Sequence, residues 1–165
     1  MSVPHARSAR VLDPAFVEGL DALGESELRE RRDECVELET EVSYVRRLAQ
    51  ARIDILEAEV ERRAGGGSLG DLIERLPEIL ADAGPRQNPA TSRLPLQLAP
   101  TRDSEWAPEL AASDGVLATL PSLSDDDLAA AIGALRALER DVSSERRGLH
   151  GVIDRIDLAL AGRLA

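Results

Sequence analysis

The sequence predicts an all-α fold: a long antiparallel two-helix coiled coil, closed as a helical hairpin, with a flexible linker and a short extra helix. Three observations predict it. Apolar residues recur seven apart along two long stretches, aromatic residues are nearly absent, and the second stretch repeats the first at a fixed offset. Of 165 residues, 43% are hydrophobic but only 2% aromatic, namely Phe16, Tyr44 and Trp106. A core of Ala, Leu, Val and Ile suits narrow helical seams and argues against a β-sandwich or a deep-pocketed α/β enzyme.

Residues 1–23 read as an N-terminal arm with room for a short helix. Residues 24–64 form the first long helix: no Gly or Pro interrupts Ser26 to Arg63, and Gly65-Gly66-Gly67 ends it. Leu28, Cys35, Val42, Ala49 and Leu56 stand seven apart, with Leu38 and Val45 at the second core position of the heptad. Cys35, in that seam, reads as a small buried hydrophobe rather than a reactive thiol. Residues 65–121 read as a linker carrying a short amphipathic helix near 69–82, capped by Ser68, with Leu69, Leu72, Ile73, Leu76, Ile79 and Leu80 on its apolar side. This helix is either a partner-contacting element or a brace on the hairpin. Prolines 85, 89, 95, 100 and 108 then fall in a stretch with no apolar period, which reads as extended or flexible chain. Trp106, at its end, either anchors a partner or folds back on the coil. Residues 122–165 form the second long helix. Ser124 is its N-cap, Asp125, Asp126 and Asp127 favour its positive end, and Leu128, Leu135, Val142, Leu149 and Ile156 repeat the heptad.

The formal net charge is −11, from 31 acidic and 20 basic residues, and every basic residue is arginine. Such a field repels duplex nucleic acid and attracts partners with basic surfaces, so direct nucleic-acid binding is not expected. No apolar run of about 18 residues is present, so no membrane span is expected. The first ten residues hold two arginines with no apolar run behind them, unlike a secretory signal, and the single Cys35 excludes an internal disulfide. The chain reads as cytoplasmic.

The repeat lies at an offset of 100 residues. From 20 to 63 there are 12 identities in 44 positions, where unrelated helices of this composition would match at roughly one in ten. Leucine matches follow from a shared heptad. The polar ones, Glu39/Glu139, Ser43/Ser143, Arg46/Arg146, Arg47/Arg147, Asp54/Asp154 and Arg63/Arg163, do not, because a solvated face accepts almost any hydrophilic residue.

Glu39, Ser43, Arg46, Gln50 and Asp54 fall within about 80° of helical arc, in a stripe roughly 22 Å long beside the apolar seam. Glu139, Ser143, Arg146, His150 and Asp154 form the second copy, with His in place of Gln. In an antiparallel pair the stripes face each other across a pseudo-twofold axis, with helix axes about 8–10 Å apart. As stripe residues, both arginines are expected to tolerate Ala within about 0.5 kcal/mol of stability. A phosphate site would favour arginine and avoid carboxylate. Guanine fits both: O6 and N7 accept a bidentate guanidinium, and N1–H and the exocyclic amine donate to a carboxylate. The duplicated stripe therefore suits a twofold, guanine-containing, doubly charged ligand.

The pattern Glu-x3-Ser-x2-Arg-x3-Gln-x3-Asp, once per helix, resembles the RsiG family of actinomycete anti-sigma factors. The first copy matches at five positions and the second at four, His150 being the departure. The resemblance covers 26–63 and 124–165. It implies that the ten stripe residues bind cyclic di-GMP, taken up as a dimer, and that one ligand-bound chain sequesters one sigma factor of the WhiG type, blocking sporulation genes. No P-loop, metal-ligand spacing or nucleophile elbow is present, and Glu39 and Asp54 stand four turns apart, so neither an enzyme nor a metal site is expected. The competing reading is a structural coiled coil or polymerase-associated adaptor without a small ligand, its stripes being only a solvated flank.

Overall fold

The computed structural model describes residues 5–82 and 104–163. These residues form five α-helices and three short 3-10 turns: α1 (Ala6–Leu12), α2 (Glu25–Gly65), α3 (Leu69–Asp82), α4 (Ala107–Ala118) and α5 (Asp125–Ala161). No strand occurs among the described residues. The described residues divide into two compact units, one lying within 1–43 and 141–165, the other within 44–140. Helices α2 and α5 each contribute to both.

Local chemistry sets the helix ends. At the end of α2, Gly66 adopts φ +69°, Gly67 N–H donates to Arg62 O at 3.0 Å, and Gly66 N–H donates to Arg63 O at 3.3 Å. That is a Schellman ending, in which glycine takes the left-handed position without a Cβ clash. Helix α3 opens on a reciprocal cap: Asp71 N–H donates to Ser68 Oγ, and Ser68 N–H to the Asp71 carboxylate. Ser124 Oγ accepts from Asp127 N–H at 3.1 Å at the start of α5.

In the first unit the two long helices run antiparallel. Arg32 meets Asp157 at 2.5 Å and Glu39 meets His150 at 3.1 Å, so seven residues forward along α2 is seven back along α5. Phe16, in a 3-10 turn, lies beneath two arginines, with Arg31 Cζ 5.1 Å and Arg10 Cζ 5.6 Å from the ring centroid. Helix α1 approaches α5 so closely that a Cβ added at Gly148 would lie 2.7 Å from Leu12 Cδ2. Cys35 is buried here, and loss of solvation pushes its thiol up to about 11.

The second unit has the same sense of pairing, from Gln50–Glu139 through Glu57–Arg136 to Arg63–Asp125. Its core joins Leu56 and Ala58 of α2, Leu72 of α3, Leu120, and Leu128, Ile132 and Leu135 of α5. Helix α3 thus packs on this unit through Leu72, while Leu69, Ile73 and Leu80 remain exposed. Helix α4 lies where linker was expected; Trp106, at its N-cap, is buried. The other prolines of that stretch, 85 to 100, lie outside the described residues. Arg52, itself buried, joins α2 to Ser113 and Asp114 of α4. Glu59 is fully buried and accepts from Arg62 (2.6 and 2.8 Å) and Arg63 (2.7 Å). Those bonds, chiefly Arg62's, outweigh desolvation and hold its carboxyl down at about 2.

The ten heptad positions, Leu28 to Leu56 and Leu128 to Ile156, are all buried, none more than 5% exposed. The duplication also appears outside the helices. Leu20–Ala22 and Leu120–Ser122 are both 3-10 turns, each followed by an extended leucine, Leu23 or Leu123. In the second unit Arg63 donates to the carbonyls of Leu120 (3.1 Å) and Leu123 (2.9 Å). In the first unit Arg163 donates to the carbonyls of Leu20 (3.4 Å) and Asp21 (3.1 Å). The arginine that closes each copy therefore clamps the turn that opens the other. This corrects the sequence argument for one polar pair: Arg63/Arg163 has a structural cause.

Candidate ligand-binding stripe

Each unit contains one cluster of stripe residues, with α2 and α5 supplying members to both. In the first unit Glu39 is the hub. Its Oε1 accepts from Ser43 Oγ at 2.7 Å and from Arg146 Nε at 2.9 Å, and His150 Nε2 lies 3.1 Å away. Arg146 Nε is shared with Ser43 Oγ at 2.8 Å. Glu39 and Ser43 stand one turn apart on α2, as do Arg146 and His150 on α5, so helical spacing alone assembles the group. The Glu39 side chain is only 12% exposed. Burial works against its charged form, but the bonds from Ser43, His150 and Arg146 prevail and hold the carboxyl below its usual range. Ser43 is buried. Ser143 and Asp154 belong to the same unit, Ser143 half-buried and Asp154 exposed.

In the second unit Gln50 Nε2 donates to Glu139 Oε1 at 3.2 Å. This is the counterpart of His150 and Glu39: the same two repeat positions with the helices exchanged. The histidine thus departs from the sequence pattern without losing the contact. Arg46 and Asp54 are half-buried on α2 in this unit. Arg46 differs sharply from its repeat partner. Its Nε is buried with no hydrogen-bond partner among the described residues, whereas Arg146 Nε has two acceptors.

Each cluster presents a guanidinium, a carboxylate and a neutral polar group, a combination suited to a planar ligand edge bearing both acceptors and donors. Among the described residues no group of three His, Cys, Asp or Glu is arranged to hold a metal ion. No helix among them is long and apolar enough to cross a membrane. The first copy of the stripe lies on α2, inside the segment that carries the match to known proteins. Residues 14–80 match the RsiG-like family. The RsiG-like segment takes in all of α2 and most of α3; the second copy, on α5, lies beyond it. No curated protein matches the chain.

The sequence pattern placed Glu39 and Ser43 one turn apart on one stripe without identifying the hydrogen bond between them. It did not identify the capture of Glu39 by Arg146 or the isolation of Arg46 Nε. Both depend on antiparallel register, which a one-chain motif leaves open.

Proposed function

We propose that this protein is an anti-sigma factor, an antiparallel coiled-coil hairpin that binds cyclic di-GMP and sequesters a sigma factor of the WhiG type in the cytoplasm. Binding occurs through Glu39, Ser43, Ser143, Arg146, His150 and Asp154 in one cluster and through Arg46, Gln50, Asp54 and Glu139 in the other. The observation that carries this reading is the exchanged contact, Gln50–Glu139 in one unit and His150–Glu39 in the other. Two chemically equivalent clusters suit a ligand that ends up bound as a dimer. In each, the arginine reads guanine O6 and N7 while a carboxylate accepts from N1–H and the exocyclic amine. The ligand adds two negative charges per molecule to a chain already at −11, strengthening its attraction for the basic, promoter-binding surface of a sigma factor. One chain then masks one sigma factor, and sporulation genes stay silent. The RsiG-like match over 14–80 supports the same reading.

Isothermal titration with cyclic di-GMP, with and without the sigma factor, tests it. Heat of binding and ligand-dependent complex formation are expected; sigma binding indifferent to ligand would remove the role of the clusters. A structural adaptor without ligand is the second reading. The Arg63 and Arg163 clamps favour it, since they show that duplication preserves polar residues for architecture alone.

A further inference from the structure

We infer that the two clusters load in order, the first cyclic di-GMP molecule docking at Arg46 and the second at Arg146. This inference rests on the ligand reading above and concerns what the free chain does before ligand arrives. The two arginines are repeat equivalents, yet the same atom is in opposite states in each. Arg46 Nε is buried with no hydrogen-bond partner among the described residues. A buried donor left unsatisfied carries a free-energy cost that an arriving acceptor removes. Guanine O6 or a phosphate oxygen supplies that acceptor and displaces no internal bond to Nε. A neighbouring contact, Gln50 Nε2 to Glu139 at 3.2 Å, has a neutral donor.

Arg146 Nε is already committed to Glu39 at 2.9 Å and Ser43 at 2.8 Å. Glu39, mostly buried, holds that bond together with those of Ser43 and His150. A ligand that takes this Nε must first break a charge-assisted bond to a desolvated carboxylate, and such bonds are the stronger kind. Giving up one such bond weakens the second step by about tenfold or more relative to the first. The Arg146 cluster is thus self-latched, and the Arg46 cluster is the entry point.

Native mass spectrometry of the full chain against graded cyclic di-GMP tests the order. The singly loaded chain is expected to exceed what two equal, independent sites give, with the doubly loaded form appearing only at higher ligand. Arg146→Ala is expected to keep the first, tighter ligand, and Arg46→Ala to lose it. Doubly loaded chain as the sole bound species at every ratio would overturn the inference. So would a first step that survives Arg46→Ala but not Arg146→Ala. If the unaltered chain binds no cyclic di-GMP at all, the ligand reading fails and takes this inference with it.

Discussion

Nε of Arg146 donates to Oε1 of Glu39 at 2.9 Å, so an arginine of one repeat closes on the carboxylate of the other. Removing it leaves a mostly buried carboxylate with two partners instead of three. Arg146→Ala should therefore destabilise the fold by about 1–2 kcal/mol, more than the value expected of a solvated stripe. Arg46→Ala, which removes an unsatisfied donor, should stay within about 0.5 kcal/mol. Both should abolish ligand-dependent sigma-factor binding. Urea denaturation followed by circular dichroism, paired with a pull-down at saturating cyclic di-GMP, reads the two effects separately. Lost helicity in Arg46→Ala would show that this arginine is structural.

Acid should destabilise the second unit through Glu59. Its carboxyl is held down at about 2 in the folded chain, against an ordinary glutamate value of about 4.3. A depressed folded value means stability that is present above the unfolded value and lost as pH falls through the folded one. Between about pH 5 and pH 2 the loss from this group should approach 3 kcal/mol. Glu39, also held below its usual range, contributes with the same sign. Urea midpoints measured from pH 7 to pH 3 should hold down to about pH 5 and fall below it, and Glu59→Gln should flatten that fall while lowering stability at neutral pH. A wild-type midpoint constant down to pH 3 would contradict both assignments.

Glycine inside α5 should be improvable where nothing crowds it. A Cβ at Gly133 or Gly151 meets open space, so Gly133→Ala and Gly151→Ala should each stabilise the chain by about 0.5–1 kcal/mol. At Gly148 the added Cβ would press on the Leu12 side chain. The helical gain is then offset by displacement of α1, and the net change should be smaller. Thermal denaturation of the three variants ranks them; equal gains at all three would mean that Leu12 yields at no cost.

Association with the sigma factor should slow as salt rises. A chain at −11 steers a basic partner through a field screened beyond about 8 Å at physiological ionic strength. Stopped-flow association across a salt series, at saturating ligand, should show the on-rate falling while the off-rate changes less. An on-rate insensitive to salt would leave steering by net charge with no part in capture.

Much of this architecture is legible in the sequence because burial enforces period. Leu28, Cys35, Val42, Ala49 and Leu56 declare a seam by spacing alone, and every one is buried. Ser68 and Ser124 announce helix starts because a hydroxyl before an acidic turn has few other uses. What escaped has a common cause. Helix α4 has small, weakly patterned residues after a proline-rich stretch, so its period is faint; its attachment depends on Arg52, far away in sequence. Stripe membership could be read along one helix, but the pairing of Arg146 with Glu39 requires the second helix and its register. Arg63 and Arg163 looked like part of the polar code until their acceptors, the carbonyls of the opposite turn, were located.

The arginine clamp on Glu59 has one more consequence. Arg63 bonds Glu59 and Asp125 and also reaches two carbonyls, a spread of acceptors that a guanidinium fork satisfies and a single ammonium does not. With all 20 basic side chains of this sequence being arginine, none of its ion pairs can be neutralised by acylation of a lysine. The cationic side chains of this chain are therefore closed to the commonest amine-directed modifications.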